Sequence, residues 1–171
     1  MKEELDKLLC KRYPKIFRDK LAPMNKTCMY WDLSCGNGWF WLIDNLCNDI
    51  QSHIDLVNEN VQKYGKTKGN YYFEMKEIPQ LVAVQVKEKL GSLRFYCSGG
   101  DEYTSALVSF AESLSNSICE TCGSTENAGS TSGWIHTICK KCFDASSEEW
   151  KQAHEWSKIE NKYDRQLEIE S

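Results

Sequence analysis

Residues 119–142 read CETCGSTENAGSTSGWIHTICKKC, with a pair of cysteines at each end. Cys119 and Cys122 form one C-x2-C pair, Cys139 and Cys142 the other, and 16 residues separate them. Two residues between paired cysteines let both sulfurs of a knuckle face one ion, and four thiolates complete a tetrahedral zinc shell. Gly123 relieves crowding where the first knuckle turns. Zinc is the default over iron for a structural site of this donor set. A filled shell leaves no position for a substrate water, so a structural zinc is expected, with folding of residues 119–145 dependent on it. Four thiolates and one Zn²⁺ add about -2 to the formal charge. His136, which precedes Cys139 by three residues, is a candidate replacement for one cysteine.

Around this motif the sequence predicts an α+β fold, a β-hairpin packed on amphipathic helices, followed by a treble-clef or zinc-ribbon-like unit. The first domain is expected to span residues 1–118. A helix over 38–63 follows from apolar residues at Trp39, Leu42, Ile43, Leu46, Cys47, Ile50, Ile54, Val57 and Val61, with Asn37 as N-cap. Alternation at Val82, Val84, Val86 and at Leu93, Phe95, Cys97 predicts a hairpin over 81–97, with Gly91 at its turn. Asp101 is placed to cap a helix over 101–118 whose apolar face is Tyr103, Ala106, Leu107, Phe110, Ala111, Leu114 and Ile118. A short helix over 1–12 carries Leu5, Leu8 and Leu9, and residues 64–78 read as a loop or edge strand. Residues 123–133 read as a flexible loop between the knuckles. A capping box at Ser146 and Glu149 predicts a charged C-terminal helix over 146–171.

Composition bounds the function. The chain has 171 residues, of which 41% are hydrophobic and 12% aromatic, enough for a packed core. A net charge of -4 argues against a large non-specific DNA-binding surface. The longest apolar run, Trp39 to Ile43, spans no membrane, and MKEELDKLLC contains no secretory apolar core, so a cytoplasmic chain is expected. Nine cysteines, an odd number, fit metal binding and burial better than disulfides there. Cys28, Cys35, Cys47 and His53 are candidates for a second metal site, although their spacing matches no ligand pattern, and Cys47 and Cys97 fall on apolar faces. Gly65-Lys66-Thr67 lacks the rest of a phosphate-binding loop. His53, His136 and His154 form no catalytic arrangement, so no catalytic residues and no enzyme are expected. Lys87 and Arg94 on the hairpin read as a solvated face, with anion binding as the other possibility.

Three stretches carry a resemblance: CGNGWFWLIDNLC at 35–47, VAVQVKEKLGSLRFYCSGGD at 82–101, and CETCGS…GWIHTICKKC at 119–142. Together they resemble a widespread set of small phage and prophage zinc-binding proteins, over most of residues 10–145. Members of that set often end the second knuckle differently, so Cys139 and Cys142 rest on their own spacing. The chain is also similar to the metal-binding type II-A anti-CRISPR group. That resemblance implies a phage-encoded inhibitor that binds the RNA-guided nuclease Cas9, or another host defence nuclease, and blocks target-DNA loading or cleavage. An acidic surface suits the basic clefts of such a nuclease. Trp134, Trp150 and Trp156 either anchor that interface or cover the zinc unit. The alternative is a zinc-dependent nucleic-acid-binding or regulatory module, touching phosphate through Lys140, Lys141 and the basic first 30 residues. A third reading is an enzyme with Arg94 and Asp101 in a cleft.

Overall fold

The computed structural model describes residues 1–22, 27–30, 32–64 and 76–159. Helix α1 (Glu3–Arg12) has acids in its first turn and bases in its last, as the helix dipole favours. Leu9 is buried, and so is Asp6, whose carboxylate accepts from Leu33 N (3.1 Å) and pairs with Lys20 Nζ (2.8 Å). A 3-10 turn over Asn37–Trp39 leads into α2 (Phe40–Tyr64), which turns Ile43, Leu46, Cys47, Ile50 and Ile54 into the core as the spacing requires. Asn37 does not cap this helix. No side chain caps the turn, and Asn37 Oδ1 instead accepts from Lys2 N (2.7 Å), tying α1 to the start of α2. The Gly65-Lys66-Thr67 stretch and most of the 64–78 segment lie outside the described residues.

Strands β1 (Val82–Lys89) and β2 (Ser92–Ser98) form the antiparallel hairpin. Its two-residue turn has φ +54° at Leu90 and +79° at Gly91, the left-handed pair that matches strand twist. Val86, Leu93 and Phe95 face the core. Both edges of this narrow sheet are sealed. Val86 O accepts from Ser34 N (3.0 Å) and Glu88 N donates to Ser34 O (2.9 Å). On the other side Leu93 N donates to Ser115 Oγ and Phe95 N to Glu112 Oε1, each at 2.8 Å.

Those two acceptors lie on α3 (Glu102–Ser115), and they explain a correction. The helix ends at Ser115 rather than 118. It buries Thr104, Val108, Ala111 and Ser115, leaving Tyr103, Phe110 and Leu114 exposed. Two edge N–H groups of β2 need acceptors, and Glu112 and Ser115 meet them only if the helix turns the mixed stripe of Thr104, Val108, Ala111 and Ser115 inward. Asp101 caps it as expected, in a reciprocal box with Thr104.

The region after residue 119 departs most from expectation. Residues 123–133 are not simply a flexible loop, because β3 (Ala128–Thr131) lies within them. It pairs with β4 (Thr137–Cys139), which runs into α4 (Lys140–Asp144). Residues 160–171 of the expected C-terminal helix over 146–171 lie outside the described residues; within 146–159 the helix is replaced by α5 (Glu148–Gln152) and by β5 (Trp156–Lys158), giving the sheet order β4-β3-β5. Ser147, not Ser146, caps α5, while Ser146 Oγ donates to Cys142 O (3.1 Å). Trp156 stops the helix reading. Its indole Nε1 donates to Ile138 O (2.9 Å), and its ring lies so close over Gly129 that a Cβ there would be 2.2 Å away. Ile138, Phe143, Trp150 and Trp156 pack around the cysteines as a second apolar cluster. Among the described residues no helix is long and apolar enough to cross a membrane.

Candidate metal centre

The sulfurs of Cys119, Cys122, Cys139 and Cys142 lie within 4.8 Å of one another, and this cluster can hold a metal ion. Cys119 ends the segment leaving α3, and Cys139 ends β4. Both are buried, Cys142 in α4 is half-buried, and Cys122 is exposed. Gly123, at φ +81°, closes the first knuckle by donating its N–H to Cys119 O (2.8 Å). The second knuckle is the junction between β4 and α4, where Lys140 N donates to Asn127 O (3.0 Å).

The electrostatics suit a cation. Burial pushes the Cys119 thiol up, but backbone N–H groups of Cys139, Cys122 and Thr121 hold it below the usual thiol range. Burial and the neighbouring sulfurs push Cys142 far above that range, and burial raises Cys122. Sulfurs this close cannot all ionise alone. A divalent ion in their midst supplies the charge that lets the remaining protons leave.

The knuckle is docked on the first apolar core by a segment whose two glycines have no room for a side chain. Gly38 N donates to Glu120 O (2.7 Å), Gly36 N to Glu120 Oε1 (2.8 Å), and Trp39 Nε1 to Ile118 O (2.9 Å). A Cβ on Gly36 would meet Glu120 O at 2.2 Å. The CGNGW stretch is therefore the seat of the knuckle. A second tie joins Thr137 Oγ1 to Gly91 O at the hairpin turn (2.6 Å).

His136 stands outside the cluster. Its Nδ1 is 3.8 Å from Glu120 Oε2, and its ring neighbours Trp150 and His154. The proposed second site is not assembled. Cys35 and Cys47 are core residues, Cys28 is exposed, and His53 Nε2 is bonded to Asp101 Oδ2 (2.9 Å). Arg94 Nη1 donates to Leu93 O (2.8 Å), and Asp101 is committed to Thr104 and His53. Trp150 and Trp156 cover the cysteine cluster, whereas Trp134 is 71% exposed. Sequence reasoning did not single out Asp44. Buried on α2, it accepts from Arg12 Nη1 at 2.8 Å and from Tyr13 OH at 3.0 Å. The basic and aromatic neighbours at 12 and 13 were the available signal.

Comparison of the chain with family models, with curated proteins and with solved structures finds no match. The fold and site define a mixed helix-and-sheet protein built around a four-cysteine cluster.

Proposed function

We propose that the chain is a zinc-stabilised, non-enzymatic binding protein that acts as a stoichiometric inhibitor of a host defence nuclease. The carrying observation is the convergence of four cysteine sulfurs. Two sulfurs bonded at ~2.3 Å to one tetrahedral zinc stand about 3.8 Å apart. The Cys122–Cys139 separation of 3.7 Å fits that value. With every position filled by protein, the ion holds a treble-clef or zinc-ribbon-like unit together and offers substrate no coordination site.

Function then falls to surface. Trp41, Phe110 and Trp134 are 66%, 62% and 71% exposed, the residue types that anchor protein interfaces. The resemblance of the 35–47, 82–101 and 119–142 stretches supplies the target, Cas9 in the host cytoplasm, with interference at DNA loading or cleavage. The alternative of a nucleic-acid-binding module working through the second knuckle has less support, because Lys140 is paired with Asp144.

The test has two readouts. Metal analysis of the purified chain is expected to give about one zinc per chain. Absence of stoichiometric metal, with Cys139→Ser leaving stability unchanged, overturns the zinc site. Titration against guide-loaded Cas9 in a DNA-cleavage assay is expected to reach full inhibition near equal stoichiometry. Uninhibited cleavage at large excess of the zinc-loaded chain overturns the target.

A further inference from the structure

The outer face of the hairpin reverses the sign of the molecule. Side chains alternate across a strand, so Gln85, Lys87 and Lys89 of β1 share a face with their partners Tyr96, Arg94 and Ser92 of β2. The opposite face carries the buried Val86, Leu93 and Phe95, and on the outer face Ser92 alone of these six is buried. The six strand residues of this outer face include Lys87, Lys89 and Arg94 and no carboxylate, in a chain whose net charge is -4. Composition alone does not produce such a patch.

Its internal arrangement is unfavourable without a ligand. Lys87 stands directly opposite Arg94, and like charges in that relation weaken a strand pair. Among the described residues Lys87, Lys89 and Arg94 form no ion pair. An aromatic ring lies among these charges. Tyr96 is 43% exposed, with Lys87 Nζ 5.6 Å from its ring centroid. At the tip, the turn meets the loop that carries Trp134. A Cβ on Gly91 would come within 2.9 Å of Ile135 Cγ2, and Trp134 precedes Ile135.

We propose that this face binds single-stranded nucleic acid, with Lys87, Lys89 and Arg94 on backbone phosphates, Tyr96 stacked on a base, and Trp134 as a second stacking surface at the tip. A polyanion supplies the charge that the opposed cations lack. Every base offers a π-face to an exposed ring, so the site is sequence-tolerant. Single strands fit better than a duplex, whose bases are already stacked inside and leave Tyr96 nothing to stack on. The site shares no residue with the cysteine cluster and does not depend on the nuclease target.

The experiment is fluorescence anisotropy of a labelled oligothymidylate and a labelled oligouridylate of ~20 nucleotides, with the full zinc-loaded chain, across a salt series. Three phosphate contacts predict a slope of log K against log salt of about -2, at ~0.7 per contact for single strands. The double variant Lys87→Ala, Arg94→Ala should weaken binding to both oligonucleotides and reduce the slope by about 1.4. Tyr96→Ala should weaken binding roughly 5- to 150-fold with the slope unchanged. Zinc content and thermal melts certify that each variant is folded. Lys140→Ala, on the second knuckle, should bind like the parent chain. No binding at low salt overturns the proposal, as does binding that survives the hairpin variants or is lost in Lys140→Ala. Binding to phosphatidylserine vesicles in place of either oligonucleotide overturns it in favour of a membrane surface.

Discussion

Gly38→Ala sets the local preference of the backbone against the docking of the knuckle, and the two predict opposite signs. Gly38 lies in the 3-10 turn ahead of α2 and has no left-handed φ. On conformational grounds alone, alanine should stabilise by about 0.5–1 kcal/mol. Its Cβ, however, would stand 2.1 Å from Cys119 O, 2.4 Å from Gly123 N and 2.7 Å from Glu120 O. All three are backbone atoms, so the clash is relieved only if the knuckle retreats. Retreat loosens the bonds from Gly38 N to Glu120 O and from Trp39 Nε1 to Ile118 O. Overpacking costs about 1–3 kcal/mol, and each weakened hydrogen bond about 0.5–1.5. Subtracting the conformational gain leaves a net loss of about 1–5 kcal/mol. For a chain of this length, that lowers Tm by about 2–20 °C. Thermal melts of the zinc-loaded proteins read the first effect, and zinc transfer to a chromophoric chelator reads the loosened knuckle. A Tm equal to or above that of the parent, with unchanged zinc release, refutes the docking argument.

Trp156→Ala removes the ring over Gly129 and the bond to Ile138 O, and should cost about 2–3 kcal/mol in a denaturant melt, below the range for a fully buried Trp. A frayed tail would lose less than ~0.5 kcal/mol, so a loss that small refutes the β5 packing. Asp101→Ala should cost about 1–2 kcal/mol through loss of the α3 cap. Burial pushes the Asp101 carboxyl up, but bonds from His53 and Thr104 outweigh it and hold it below the usual range. Its contribution is thus present above the unfolded value near ~3.9 and lost as pH falls through the folded one. Asp101→Asn keeps a cap acceptor without the charge and should flatten that acid limb; identical limbs in urea melts across pH count against the pairing. In native, zinc-loaded protein Cys28 should alkylate fast. Burial raises Cys35 to about 12 and Cys47 well above the usual thiol range, so both should react only on unfolding. Equal protection of Cys28 by mass spectrometry would revive the second metal site.

Local signals were legible where one interaction dominates. The 3.6-residue stripe of α2, the two-residue turn at Leu90 and Gly91, the Asp101 cap and the C-x2-C pairs each answer to a rule that spans a few residues. Expectation failed where a distant partner decides. The inward face of α3 is chosen by the unpaired N–H groups of Leu93 and Phe95, on another element. Ser130 and Thr131 read as loop because they are small and polar, yet they are strand residues paired to Thr137 and Trp156. The stretch after Ser146 read as helix from the capping box at Ser146 and Glu149, but Trp156 within it is held by Ile138 and the ladder to β3. Asn37 is a good cap by type, and its oxygen is taken by Lys2.

The glycines near the knuckle tie the metal's energetics to the rest of the chain. A four-cysteine unit on a loose linker would gain stability from its ion and pass none of it on. Here Gly36, Gly38 and Glu120 interlock backbone against backbone, and Thr137 reaches the hairpin turn. Apparent zinc affinities in small knuckles amount to about 10–16 kcal/mol, the same order as the whole stability of a domain. Through these contacts, part of that free energy would hold the N-terminus of α2 and the tip of the β1–β2 hairpin. The basic face of the hairpin would then be presented on a frame that the cluster braces at the turn, although none of its cations lies near a clustered cysteine in sequence. On the proposed reading, a structural zinc with no chemistry of its own acts on function by fixing the geometry of a surface built from other elements.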